Sequence, residues 1–133
     1  MITRPKKLEH NPKDISTYSN FDKILQKSLY IEVTLDFKTK TLYGEITSTY
    51  KYIDKTEKYL ILDLKGPKIQ NIYNIQRNQK YPLKYEIIEN LPDKNALGTP
   101  LKINLPLFGK TKPNEIKIKI EFITNENCTA IQF

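Results

Sequence analysis

Residues 29–52, "LYIEVTLDFKTKTLYGEITSTYKY", alternate apolar and polar side chains along two stretches joined by a polar turn. A period of two places successive side chains on opposite faces of an extended strand, so this segment reads as a long half-buried β-hairpin. In the first strand Leu29, Ile31, Val33, Leu35 and Phe37 form one row, with Tyr30, Glu32, Thr34 and Asp36 opposite. In the second, Leu42, Gly44, Ile46, Ser48, Tyr50 and Tyr52 share a face, and Gly44 reads as a bulge or bend. If the first row is buried, an aspartate at Ile31 or Val33 unfolds the domain, whereas Thr34 tolerates one.

The same period recurs downstream. "EKYLILDLKG" is a short apolar strand closed by Gly66 and Pro67, and "YPLKYEIIE" is a strand with Pro82 near its start, where a missing donor does least harm. "KIQNIYNIQ" is less regular, because Ile69, Ile72 and Ile75 are spaced at three. "NLPDKNALG" has loop composition. "TPLKINLP" and "NEIKIKIEFIT" alternate again, with Leu101, Ile103 and Leu105 in one row and Ile116, Ile118, Ile120 and Phe122 in the other. No segment has a helical stripe. Closely spaced strands without amphipathic helices predict an all-β fold, an antiparallel β-sandwich or curved sheet. Residues 1–27 hold Pro5 and Pro12 and no sustained period, which predicts an extended polar leader with a short turn near "NFDKIL", pinned by Leu8, Ile15, Phe21 and Leu25. The β-domain is then residues 28–133.

With 133 residues, one domain is the ceiling. The formal net charge of +7 invites a polyanionic partner. The lysines, however, sit singly among Ile, Glu and Thr, as where Lys117 and Lys119 share a polar face with Glu121. That pattern reads as a solvated face and disfavours nucleic acid as a partner. Seven tyrosines, Tyr43, Tyr50, Tyr52, Tyr59, Tyr73, Tyr81 and Tyr85, are candidates for base stacking, but tyrosine is also favoured in strands for its own sake.

The chemistry of hydrolysis finds no footing. A catalytic zinc needs about three protein ligands from His, Cys or carboxylate. His10 is the single histidine and Cys128 the single cysteine. Glu86 with Glu89, and Asp54 with Glu57, are the close carboxylate pairs, and they sit among lysines as charged surface. Four glycines draw no phosphate loop. The reading therefore assigns no catalytic, cofactor or metal residue. No apolar run is long enough to cross a bilayer, and a single cysteine suits a reducing compartment, so cytoplasm is the expected location.

Several stretches in order resemble the zinc aminopeptidases related to leukotriene A(4) hydrolase. "NPKDISTYSN" is similar to a leader of the "DP-S-SN" kind, followed by a strand ending "DF", a basic turn and a strand beginning "L-G". "YLILDLKG" resembles their "LVLDT" strand, "LGTPLKINLP" their "G-PL-I-LP" segment, and "IKIKIEFITNENCTAIQF" a strand leading into "TSP-SSALQW". Ser28 stands where a histidine often precedes the first strand, Asn125 replaces the proline of "TSP", and Phe133 replaces the tryptophan. The resemblance implies a saddle-shaped, all-β N-terminal domain packed against a thermolysin-like catalytic domain. That later domain holds the zinc, through H-E-x-x-H, and the G-x-M-E-N stretch, so no site residue carries over to this chain. It further implies a fragment whose sheet stops before its last strands and leaves edges unpaired. The expected partners are a catalytic domain, in the same or another chain, or a protein at an exposed sheet edge. A free-standing protein-interaction module is the alternative.

Overall fold

The computed structural model describes residues 19–64, 68–88, 99–108 and 112–124. These form eight strands in chain order: β1 Ile24–Asp36, β2 Thr41–Tyr52, β3 Tyr59–Leu64, β4 Lys68–Gln76, β5 Gln79–Pro82, β6 Tyr85–Ile87, β7 Thr99–Asn104 and β8 Glu115–Thr124. Among the described residues there is no helix. A five-stranded sheet runs β1-β2-β8-β4-β5 and a three-stranded sheet runs β3-β7-β6, and every pairing is antiparallel. The expected all-β antiparallel fold is present, as two open sheets and not a closed barrel.

The core follows from alternation. Ile46, Tyr50 and Tyr52 of β2, Ile116, Ile118, Ile120 and Phe122 of β8, and Ile69 and Ile72 of β4 are buried on one face of the large sheet. They join Leu60, Leu62, Leu64, Leu101, Ile103 and Leu105 of the small sheet in a single apolar cluster. Two β-bulges keep this face continuous. In β4 the register shifts between Ile69 and Asn71, so Ile69 faces Phe122 and Ile72 faces Ile120 across the ladder. The extra residue reverses the parity of the strand. The spacing of three in the sequence is therefore a bulge: Ile69, Ile72 and Asn74 are buried, and Ile75 lies on the other face.

A second bulge corrects the leader. The register of β1 shifts between Gln26 and Ser28, with Ile24 opposite Tyr52 and Leu29 opposite Ser48. The strand thus begins inside the stretch expected to be leader. Ile24, 1% exposed, pins the segment, while Leu25 is 45% exposed. Leu8 and Ile15 lie outside the described residues, as do Gly66, Pro67 and the "NLPDKNALG" stretch. A turn at residues 21–23 precedes the strand as expected.

The hairpin itself departs from expectation at two points. Leu29, Ile31, Val33 and Leu35 do share the core-side face, opposite Ser48, Ile46, Gly44 and Leu42, but they are 49–52% exposed. β1 is an edge strand, so this row has a neighbour on one flank only and belongs to no part of the buried cluster. The expectation that a charge at Ile31 or Val33 unfolds the domain fails on that ground. Gly44, in turn, marks no bulge, because the register runs unbroken through it to both neighbours. A Cβ there would lie 2.3, 2.7 and 2.9 Å from ring carbons of Phe122. The glycine is needed so that the buried ring can lie across the strand.

The stretch read as one strand with Pro82 near its start is two strands in different sheets. Pro82 is the last residue of β5, and β6 starts at Tyr85. β4 and β5 are joined by Arg77 and Asn78, whose φ values of 52° and 64° describe the mirror-image turn that suits a two-residue hairpin. In the β1–β2 turn, the Asp36 carboxylate accepts from the Lys38 and Thr39 amides, and Lys40 takes a φ of 55°.

Candidate functional surface

The outer face of the large sheet is polar. Glu32, Glu45 and Glu121 stand directly opposite one another across β1, β2 and β8, and with Thr34, Tyr43 and Gln70 they line an open groove of about 240 Å³. Like charges in register repel. Cations offset part of this: Lys119 lies 3.2 Å from Glu45 and Lys80 3.7 Å from Glu121, which also accepts from Asn71. Two lysines of this face, Lys80 and Lys119, are thus engaged with carboxylates. The groove offers the carboxylates of Glu32, Glu45 and Glu121 beside the hydroxyls of Thr34 and Tyr43.

Asp54 and Glu57 do not form an acid–base pair. They organise the turn between β2 and β3. Asp54 accepts from the Thr56 amide and hydroxyl, which hold its carboxyl below the usual carboxylate range. Glu57 accepts from the Lys58 and Tyr59 amides. Lys112 closes the turn from the other side, donating to the Lys55 and Glu57 carbonyls at 2.7 and 2.8 Å with its ammonium 4.3 Å from the Tyr52 ring centre. Desolvation lowers the pKa of Lys112, against the pull of Glu57 and Asp54. Glu86 is exposed opposite Lys102, and Glu89 lies outside the described residues.

The tyrosines do not assemble a stacking platform. Tyr50 and Tyr52 are buried on the core side, and burial pushes both hydroxyls up to about 12. Tyr43 sits on the outer face, Tyr59 lies beneath Lys102 in the small sheet, and Tyr73 lies beneath Lys80. The ring faces that would stack on bases are split between two sheets and both sides of one of them.

Among the described residues no three of His, Cys, Asp and Glu are placed to hold an ion. His10 and Cys128 fall outside those residues. The residues present do not fit a catalytic zinc.

The feature that ties the two sheets together is one that sequence reasoning missed. Asn20 Nδ2 donates to the Tyr59 carbonyl at 2.8 Å, and its Oδ1 accepts from the Ile61 amide at 2.9 Å. The side-chain amide thus pairs with the edge of β3 as a strand residue would. The Asn20 carbonyl accepts from the Lys23 and Ile24 amides at the start of β1, and the Lys23 carbonyl accepts from the Ile53 and Asp54 amides after β2. Asn20 belongs to the "SN" of the leader, before the turn at 21–23, but nothing in the sequence points to partners about 40 positions away.

The arrangement defines a class: an antiparallel β-module of two sheets on a shared core, with a polar outer face and no catalytic constellation among the described residues. Comparisons give that class a family. The chain is 28% identical to leucine aminopeptidase 2 of Kluyveromyces lactis over 98% of its length, and 30% identical to leucine aminopeptidase 2-1 of Scheffersomyces stipitis over 94%. It is 23% identical to leukotriene A-4 hydrolase of Xenopus laevis over 90%. It spans only 18% of each of these relatives. Yeast leukotriene A4 hydrolase in complex with bestatin shares the fold over 96% of this chain and 18% of that one, with a TM-score of 0.70 at 22% identity. No protein-family model matches. The chain matches an N-terminal region of the leucine aminopeptidase 2 and leukotriene A-4 hydrolase family.

Proposed function

We propose that this chain is a non-catalytic β-module of a leukotriene A(4) hydrolase-like zinc aminopeptidase. Its task is to dock a catalytic domain and shape one wall of the peptide cleft, in the cytoplasm. The observation that carries this reading is the match to the N-terminal region of the relatives over nearly all of the chain, with the same fold.

A chimaera tests it. The matched segment of the Kluyveromyces lactis leucine aminopeptidase 2 is replaced by residues 1–133, and release of leucine from a leucyl amide is measured with zinc present. A soluble chimaera that retains activity is the expected result, with none for the 133-residue chain alone. A folded but inactive chimaera refutes the docking role, and amino-acid release by the isolated chain refutes the non-catalytic reading. A second reading, a free-standing module that binds protein, is favoured by the open edge of β1.

A further inference from the structure

Among the described residues the sheets have four outer strands, and three of their edges are guarded. β5 has four residues, includes Lys80 and ends in Pro82; β6 has three. The edge of β3 is sealed at Tyr59 and Ile61 by the Asn20 side chain. β1 is different. It has 13 residues, no proline, and a half-exposed row of Leu29, Ile31, Val33 and Leu35. Short strands, proline, bulges and charge are the usual means of blocking edge-to-edge pairing; β1 has a bulge at Lys27 and charges at Lys27, Glu32 and Asp36, but its stretch from Ser28 to Thr34 holds a single charge and no proline.

We propose that β1 is a self-association edge, through which two copies of this chain pair antiparallel about a two-fold axis at Ile31. This goes beyond the aminopeptidase reading and does not depend on it. The register follows from three constraints. Residues opposite each other must lie on the same face, so the apolar row meets its own copy only when the paired numbers sum to an even value. An axis at Glu32 sets glutamate against glutamate, which is repulsive. An axis at Tyr30 sets Val33 against Lys27 and its bulge, leaving a shorter ladder.

The axis at Ile31 pairs Ile31 with itself, Leu29 with Val33, Tyr30 with Glu32 and Ser28 with Thr34. The ladder is free of the bulge throughout and brings no like charges together. Since each copy has one such edge, the contact is isologous and closes at a dimer. The ladder is short, so the interface sits near the lower bound of about 1,000 Å² for a specific contact, and the dimer is weak and concentration-dependent.

Sedimentation velocity on the purified chain from about 5 to 500 μM tests this, with dimerisation expected at a Kd on the order of 10–100 μM. Ile31→Lys places two lysines on the axis and is expected to weaken association at least tenfold. Ile53→Lys, at an exposed site away from β1, leaves it unchanged. Ile31→Cys in a Cys128→Ser background is expected to form an inter-copy disulfide under mild oxidation, because directly opposed strand residues lie about 4.5–5.5 Å apart, within disulfide range. Leu29→Cys in that background is expected to cross-link far more slowly. A monomer at every concentration overturns the proposal, as does a dimer indifferent to Ile31→Lys. Higher oligomers, or faster cross-linking at Leu29 than at Ile31, overturn the closed pairing. Should Ile31→Lys fail to fold by circular dichroism, the cysteine pair decides.

Discussion

Gly44→Ala is expected to destabilise the domain although alanine is the better strand residue. The added Cβ would stand 2.3 Å from Phe122 Cζ and 2.7 and 2.9 Å from its Cε atoms. Carbon atoms in contact sit about 3.5–4.0 Å apart, so the ring must retreat by more than about 1 Å. It has little room, since Phe122 is 1% exposed and packed in the core. Overpacking of this kind costs about 1–3 kcal/mol. Relief of the glycine's excess chain entropy returns about 0.5–1 kcal/mol, leaving a net loss centred on about 1 kcal/mol. Urea denaturation of four proteins provides the test: wild type, Gly44→Ala, Phe122→Leu and the double variant. Phe122→Leu alone opens a cavity and is destabilising. In the double variant the alanine methyl occupies part of that space, so the two losses should fall short of additive by about 1 kcal/mol or more. Gly44→Ala at wild-type stability, or additivity within about 0.3 kcal/mol, would refute the claim that the ring dictates the glycine.

Asn20→Ala removes two hydrogen bonds to the β3 edge and is expected to cost about 1–3 kcal/mol in urea unfolding; Asn20→Asp, which keeps the acceptor but turns a carboxylate oxygen toward the Tyr59 carbonyl, should be no better at pH 7. Ile118→Asp, fully buried on β8, should abolish the folded state, while Ile31→Asp on half-exposed β1 should cost less than about 1.5 kcal/mol at a concentration where the chain is monomeric, and equal losses by thermal melt would undo the face assignment. Tyr50 and Tyr52 have their hydroxyls raised to about 12 by burial, so the neutral forms are favoured in the folded state. Their contribution is whole below pH 10 and is lost as pH rises from 10 to 12, by roughly 3 kcal/mol for the deeply buried Tyr50. Tyr50→Phe should flatten that alkaline slope in a stability–pH series.

Alternation made most of the fold legible. β2, β7 and β8 bury the rows that the period of two assigned them, because each is flanked in its sheet and covered on one face. What alternation cannot express is lateral position. Leu29–Leu35 and Ile116–Phe122 have the same pattern, yet the first row lies on an edge strand and stays half in water. Bulges defeat it in another way: one inserted residue turns a period of two into the spacing of three at Ile69 and Ile72, and moves the start of β1 back to Ile24. The Arg77–Asn78 turn was hidden for want of a glycine, the usual occupant of such positive φ values. On the functional side, the pair Asp54 and Glu57 is surface, as its lysine-rich surroundings imply, but the latch at Asn20 was invisible because its partners lie about 40 positions away in the chain.

Among the described residues, several that carry the family resemblance have a physical task in the fold. Asn20 of the "SN" leader latches β1 to β3, and Asp36 of the strand-ending "DF" caps the turn. Gly44 of "L-G" lies under Phe122, and Leu101, Ile103 and Leu105 of "PL-I-LP" are buried core. Each of these either pairs a backbone group or fills space; none sits where it could move a proton or hold a metal. A sequence that keeps such residues resembles the family in how the chain is built. A chimaera, in which only this region is exchanged, is therefore the protein in which the proposed role is assayed.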